Sequence, residues 1–318
     1  MKKANAMANG KAIRKKKSAL QKRYILVGIL FAMPWFIGFL LFQLYPIISA
    51  VYHSFTEYNV FNPPKWVGLA NYIELFSDKS VLKAFGNTLF MAFIGMPVGL
   101  AVALLVALLL NMKVKGLSVF RTVYYLPSVV PVVAAAAVFI WILNPEYGLL
   151  ANVLRPFGIV LPSFVYNPTY TKPGLIIMDT WRCGQSAIIF LAALQAVPQS
   201  YYEASTLDGA NAFRRFFNIT LPCISPTILF LFVTGIINAF QYFTQGFVFA
   251  SVTNATQRQT GGPANSLLFY STYLYNNAFS YLRFGYASAL AIVLLLVIIA
   301  TTLLSFKISR RSVNYNLE

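Results

Sequence analysis

Six stretches of the chain stay apolar for long enough to matter, at residues 24–52, 88–111, 122–143, 174–197, 227–251 and 284–306. A helix of about 20 residues crosses a hydrocarbon core some 30 Å thick, so each stretch can span a bilayer. Lipid offers the backbone no water, and segments rich in Leu, Ala, Phe and Ile must therefore close their hydrogen bonds internally, as helices. The pattern predicts an all-α, polytopic membrane protein with six transmembrane helices. Pro34, Pro46, Pro97, Pro127 and Pro131 fall within these stretches. Each removes a helical hydrogen bond, so bent spans are expected. In the second stretch Gly95, Gly99, Ala103 and Ala107 recur every four residues, a small-residue face that predicts close helix packing.

Composition sharpens this picture. Of 318 residues 58% are hydrophobic and 10% charged, against roughly 25% charged in an average soluble domain. The formal net charge of +17 would suggest nucleic acid in a soluble protein, but its distribution points elsewhere. With both termini inside the cell, 17 of the 25 Lys and Arg residues fall in cytoplasmic segments and seven in the outer loops, while Arg182 lies within a span. That asymmetry follows the positive-inside rule and predicts cytoplasmic termini. The cluster KAIRKKK at 11–17 then reads as a topology anchor that touches anionic membrane lipid, with no nucleic-acid partner. The expected organisation is a basic cytoplasmic tail (1–23), one transmembrane domain (24–306) and a short cytoplasmic tail (307–318). The run at 24–52 is too long for a cleaved signal and is read as retained.

Catalytic chemistry is not legible. Phosphate-loop, H-E-x-x-H and G-x-S-x-G patterns are missing from the sequence, and its single histidine, His53, sits at a span end. Cys183 and Cys223 have neither redox nor metal spacing and read as packing residues. No enzyme activity, cofactor or metal is expected of the chain.

Two polar features stand out against the apolar background. YYEASTLDGANAFRRFFNITLP, residues 201–222, is too polar for lipid. Ser200 and Glu203 have capping-box spacing, so a short helix should start there. Asp208-Gly209 should end it and begin another, because glycine accepts the left-handed conformation and aspartate is a good cap. Phe213, Phe216 and Phe217 then form a ridge at i, i+3 and i+4, and Pro222 and Pro226 suit the first turn of the next span. An amphipathic element resting on lipid fits this pattern, and so does one gripped in a partner's groove. The second feature is a stripe in the fifth stretch, where Asn238, Gln241, Tyr242 and Gln245 share one helical face. Neutral amides and a phenol suit weak recognition of a hydroxyl-rich solute along a pathway; interhelical hydrogen bonding is the alternative. Asp179 and Arg182, three apart in the fourth stretch, are either a self-neutralising structural pair, the favoured reading, or further contacts along that pathway.

Counted from Glu203, the polar segment reads E-A-S-x3-G-x9-I-x-L-P, with Gly209, Ile219, Leu221 and Pro222 in register. This resembles the "EAA" signature of ABC importer membrane subunits, with Ser205 in place of the second alanine. WVGLANY (66–72) with Asn87-Thr88, FRTVYYLPSVVP (120–131), the 203–210 core, TGGP (260–263) and FGYASALA (284–291) are similar, in order, to the sugar-importing branch, the maltose and glycerol-phosphate type permeases. The resemblance implies a coupling loop at 198–222, with Glu203, Ala204, Ser205, Asp208, Gly209, Ala210, Phe213, Arg214 and Phe217 engaging an ATPase. It also implies a second homologous permease subunit, two ATPase subunits, an extracytoplasmic solute-binding protein, a sugar substrate and the bacterial cytoplasmic membrane. A non-carbohydrate solute, or a self-powered carrier using Asp179, are the alternatives.

Overall fold

The computed structural model describes residues 19–112, 115–253 and 261–309, so the basic cluster at 11–17, most of the N-terminal tail, Thr260 and the tail from 310 lie outside the described residues. The chain forms two compact units, one ending at Tyr52 and one starting at His53. The first is a helix built from α1 (Ala19–Phe39), a π turn at Leu40–Leu44 and α2 (Tyr45–Ser54), whose last two residues open the second unit.

In the second unit a two-residue ladder pairs β1 (Thr56–Glu57) with β2 (Lys65–Trp66), antiparallel, Thr56 opposite Trp66. Next come α3 (Ala70–Ser77), α4 (Lys79–Phe90), a π turn at Met91–Gly95 and α5 (Met96–Leu110). α6 (Leu117–Val129) and α7 (Val132–Ile142) meet at a 99° bend, and α8 (Leu149–Leu154) follows. α9 (Thr171–Trp181) and α10 (Gly184–Ala196) meet at 49°. The polar segment holds α11 (Gln199–Leu207), α12 (Ala212–Arg215), a π turn at Phe216–Thr220 and α13 (Leu221–Cys223); α14 (Ser225–Phe240) departs from that run at 66°. α15 (Thr244–Thr253), α16 (Tyr270–Tyr275), a π turn at Asn276–Ser280 and α17 (Phe284–Ser309) complete the described chain.

Among the described residues three helical runs, Leu26–Ser54, Lys79–Leu110 and Phe284–Ser309, are long and apolar enough to cross a membrane, and counting each of the three bent pairs as one span gives up to six. That is the number expected, with one displacement. The fifth span, expected at 227–251, is instead the bent pair Ala212–Cys223 and Ser225–Phe240, and the helix breaks again before α15.

The prolines behave less uniformly than expected. Tyr45, Met96 and Leu221 each precede a proline (Pro46, Pro97, Pro222), and each donates its N–H to the carbonyl five residues back, on Leu40, Met91 and Phe216. A proline ring clashes with the carbonyl four residues before it. The wider π turn moves that carbonyl aside, so Pro46 and Pro97 sit inside continuous spans rather than bending them. Pro131 is different: it caps α7 with extended backbone (ψ 135°), and the chain turns sharply there.

Packing divides the small-residue face in two. Ala103 and Ala107 are fully buried in a cluster with Ala187, Phe190, Leu191 and Leu194 of α10, as a close helix approach requires. Gly95 and Gly99 are not part of that contact. Asn87 and Thr88 clamp distant backbone in place. The Asn87 amide, 2% exposed, donates to the carbonyls of Asn265 (2.8 Å) and Leu268 (2.9 Å) and accepts from Lys172 Nζ (2.9 Å). Thr88 Oγ1 accepts the Tyr270 N–H at 2.9 Å. These bonds hold the 261–269 loop, in which Ala264 and Asn265 adopt left-handed backbone (φ 50° and 56°).

Asp78 ties three helices together. Its carboxylate caps α4 through the Ser80 N–H (2.8 Å) and accepts from the hydroxyls of Tyr273, in α16, and Tyr286 (3.1 Å), in α17. Burial pushes its pKa up, but the bonds from Tyr273, Ser80 and Tyr286 outweigh that, and the carboxyl titrates below its usual value. The bonds' contribution is complete above the ordinary carboxylate pKa of about 3.9 and is lost as pH falls through the lower folded value. Asp78→Asn is expected to cost about 1–3 kcal/mol at neutral pH, read as a lower melting temperature of the purified protein. It should also flatten the acid-side loss of stability below about pH 4; an unchanged wild-type-like acid profile in the variant would contradict this role.

Candidate functional site

A cavity of about 270 Å³ lies between the π turn at Met91–Gly95, α5, the α9–α10 bend, α14 and the start of α15. It is near the small end of the range typical of ligand pockets. Asp179, Arg182, Cys183 and Ser186 come from the bend, Thr234, Gly235 and Asn238 from α14, and Tyr242 and Gln245 from beyond its end. Five of the six residues expected on a pathway therefore meet here. Gln241 does not: α14 stops at Phe240, the chain turns at Gln241 (φ −94°, ψ 17°), and that side chain is left exposed. The expected single helical face is thus replaced by a helix end and a new start. Tyr242 turns inward, its ring edge-on to Phe269 at 4.9 Å.

Asp179 and Arg182 do not pair with each other. Tyr242 donates its hydroxyl to Asp179 Oδ2 at 2.8 Å, and Arg182 Nη2 donates to the Val130 carbonyl at 3.1 Å. Val130 is the C-cap of α6, so the guanidinium satisfies a carbonyl that the 99° bend leaves without a helical donor. Arg182 Nε is buried with no protein partner. The favoured reading of a self-neutralising pair is corrected accordingly: each charge is held by a different element, and both line the cavity. Cys183, read as a packing residue, also lines it, as do Gly95 and Gly99. At Gly99 an added Cβ would meet nothing within 4 Å. Thr234, four residues before Asn238, was the legible signal that the polar stripe extends down α14.

The polar segment forms a closed hook. α11 starts at Gln199 behind Pro198, whose fixed φ (−59°) and extended ψ (130°) deliver the chain into the helix. Ser200 is therefore already inside α11, and the expected capping box with Glu203 does not form. The helix ends as expected, with Gly209 left-handed (φ 74°). The Ala210 N–H bonds Ser205 O (2.9 Å) and the Gly209 N–H bonds Thr206 O (3.1 Å), a Schellman turn. Asn211, not Asp208, caps the second leg, its Oδ1 accepting the Arg214 N–H at 2.8 Å. Across the legs, Tyr202 and Thr220 hydroxyls share a hydrogen bond (2.9 Å) and Arg215 Nη1 donates to Thr206 Oγ1 (3.3 Å). Ser205 is buried and donates to Tyr202 O, whereas Glu203, Ala204, Asp208 and Arg214 are exposed. The Phe213 and Phe217 rings lie 4.5 Å apart, and Phe213 (73%) and Leu207 (90%) project outward.

The family model for the binding-protein-dependent transport system inner membrane component matches residues 95–314, a span that holds the hook and all of the cavity lining except Met91. The chain belongs to this family. It is 38% identical over 314 residues to "Probable ABC transporter permease protein YesP" of Bacillus subtilis (strain 168), covering 98% of this chain and 97% of that one. It is 34% identical over 283 residues to the arabinooligosaccharides transport system permease protein AraP of the same organism, covering 88% and 87%. The crystal structure of a bacterial ABC transporter involved in the import of the acidic polysaccharide alginate contains a similar chain, with TM-score 0.75, 27% identity and coverage of 92% and 99%. Membership makes the protein a membrane-embedded transport permease, and the all-α fold follows that of the solved relative.

Within this permease the Tyr242–Asp179 bond holds the broken fifth span to the fourth. A double-mutant cycle with Tyr242→Phe and Asp179→Asn, scored by thermal unfolding of the purified protein, is expected to give a coupling of about 1 kcal/mol, within the range of buried hydrogen bonds in membrane proteins. Additive effects would show that the bond contributes nothing.

Proposed function

We propose that this chain is the membrane permease of an ATP-driven importer that takes up a saccharide delivered by an extracytoplasmic binding protein. The observation that carries this reading is the hook's connection to the cavity. α12, the π turn at Phe216–Thr220 and α13 lead into α14, which presents Asn238 to the cavity, with Tyr242 just beyond its end. A force applied at Leu207, Phe213 and Gly209 is thereby passed to the solute-facing groups. An apolar anchor beside a fixed turn is what a groove on a motor protein needs for affinity and register. Two ATPase subunits would grip this hook and that of a second homologous permease subunit, and their ATP-dependent closure would shift the population between inward- and outward-open states.

The saccharide class is supported by the permease of the arabinooligosaccharides transport system and by the alginate transporter, and by the cavity chemistry. Amides of Asn238 and Gln245, a phenol and the Asp179 and Arg182 side chains give hydroxyl donors and acceptors in one small space. The basic-residue asymmetry favours cytoplasmic termini, which puts the hook on the side where ATP is found. In this arrangement residues 1–23 and 307–318 are cytoplasmic tails and 24–306 form the transmembrane domain.

Gly209→Asp tests the coupling. In the reconstituted complex, stimulation of ATP hydrolysis by solute-loaded binding protein is expected to fall by about tenfold or more, the effect of roughly 1.4 kcal/mol of lost docking energy. Unchanged stimulation would remove the hook from the mechanism. Asn238→Leu with Gln245→Leu is expected to abolish solute uptake while complex yield holds; loss of assembly without a transport-specific defect would remove the pathway reading.

A further inference from the structure

A second recess, about 550 Å³ and separate from the central cavity, is formed where the β1–β2 ladder and α3 meet the start of α17. Rings of Tyr58, Phe61 and Tyr281 line it, together with Glu57, Asn59 and Arg283. Its floor is rigid. The buried Asn71 amide donates to Ser54 O (2.9 Å) and Thr56 O (3.0 Å), and the Gly285 N–H bonds Tyr58 O (3.1 Å). Gly285 is pressed so closely on the Thr56 carbonyl that a Cβ there would collide with it. Arg283 is fixed three ways: its N–H bonds Asn277 O (2.8 Å), its guanidinium pairs with Glu74 (2.6 Å), and it lies over the Tyr286 ring at 4.5 Å.

Backbone strain marks the same place. Among the described residues four non-glycine positions have left-handed φ, and two of them, Ala264 and Asn265, belong to the loop that Asn87 holds. The other two border this recess. Val60 (φ 70°) stands between Asn59 and Phe61, and Leu282 (φ 56°) between Tyr281 and Arg283. A β-branched residue at positive φ is a genuine outlier, and such strain persists where it aims side chains that are used. Here it aims Phe61, 77% exposed, and Tyr281 at an open concavity.

We propose that this recess is a second saccharide site, which holds a sugar unit of a neutral oligosaccharide at the mouth of the permease. The proposal rests on the importer reading only for the side it faces, the extracytoplasmic one. Exposed ring faces stack on the apolar C–H face of a sugar, while planar carboxylate, amide and guanidinium groups take its hydroxyl pairs two at a time. The lining charges, Glu57 and Glu74 against Arg283, leave one net negative charge, so a neutral sugar is favoured over a uronate. A site at the mouth would raise the local concentration of solute released from the binding protein, or hold the trailing end of a chain whose leading end occupies the smaller cavity.

The test uses the assembled complex in lipid nanodiscs without binding protein, titrated by saturation-transfer NMR with arabinotriose, maltotriose and a mannuronate trisaccharide. At least one neutral trisaccharide is expected to bind, more tightly than the uronate, and Phe61→Ala and Glu57→Gln should each weaken it by about tenfold or more. The conservative Glu57→Gln keeps the test valid if Phe61→Ala fails to fold. Binding that is unaltered in both variants, or not detected with either neutral sugar, overturns the proposal. So does a result in which the variants weaken only the binding of sugar-free binding protein, which would make the recess a protein-docking surface. ATPase stimulation by loaded binding protein, measured on the same nanodiscs, reports separately on the importer reading: its loss with trisaccharide binding intact would sink that reading and leave this site standing.

Discussion

Hydrocarbon gives an unpaired amide or carbonyl nothing to bind, and much of this fold follows from how the chain meets that constraint. Three prolines are absorbed by π turns that shift the clashing carbonyl instead of losing the helix. Where the helix does break, side chains take over: Arg182 reaches the Val130 carbonyl at the sharpest bend, and Tyr242 leaves the end of α14 to bond Asp179. At the 99° bend the freed Val130 carbonyl thus has a polar partner, and the break after α14 is tied to the fourth span by a side-chain bond.

Those same interruptions create the cavity. A straight fifth span would carry its amides along one face and leave them to a neighbouring helix. Broken at 241–243, it delivers Asn238 from α14, Tyr242 from the break and Gln245 from α15 into a single space. The fourth span adds Asp179 and Arg182 from its own bend, and the second adds Gly99, beside which an added Cβ would meet nothing within 4 Å. A polar pocket in an apolar protein is therefore made of helix ends and bends, where backbone and side chains must both be satisfied. The hook shares this logic: its π turn and proline lead to α14 through a single residue, Ile224, at a 66° bend.

Polar chemistry at the opposite end of α14 from the hook serves rigidity first. Asp78 gathers α4, α16 and α17 through two tyrosines, and Asn87 and Thr88 clamp the 261–269 loop. With Glu74–Arg283 this gives a stiff platform on the side of α17's first turn.

Hydrophobic period, span number, helix class and the left-handed Gly209 turn were legible in the sequence because they depend on neighbours a few residues apart. The motif at 203–222 was legible for the same reason, being a local pattern of a helix, a glycine and a second helix. The cap of α11, the fate of each proline and the break after Phe240 were not, since each depends on what the surrounding helices offer. Asp179 and Arg182 show the difference most plainly. Three residues apart on a helix, they read as partners, yet Tyr242 lies 63 positions from one and Val130 52 from the other, and those distant groups hold them. Sequence by itself determined that this chain is a helical membrane protein with a polar hook, because burial in lipid and local turn chemistry are properties of short segments. Only the tertiary structure decided which polar groups face one another, because hydrogen-bond partners in a bilayer are chosen by helix packing across the fold and not by spacing along the chain.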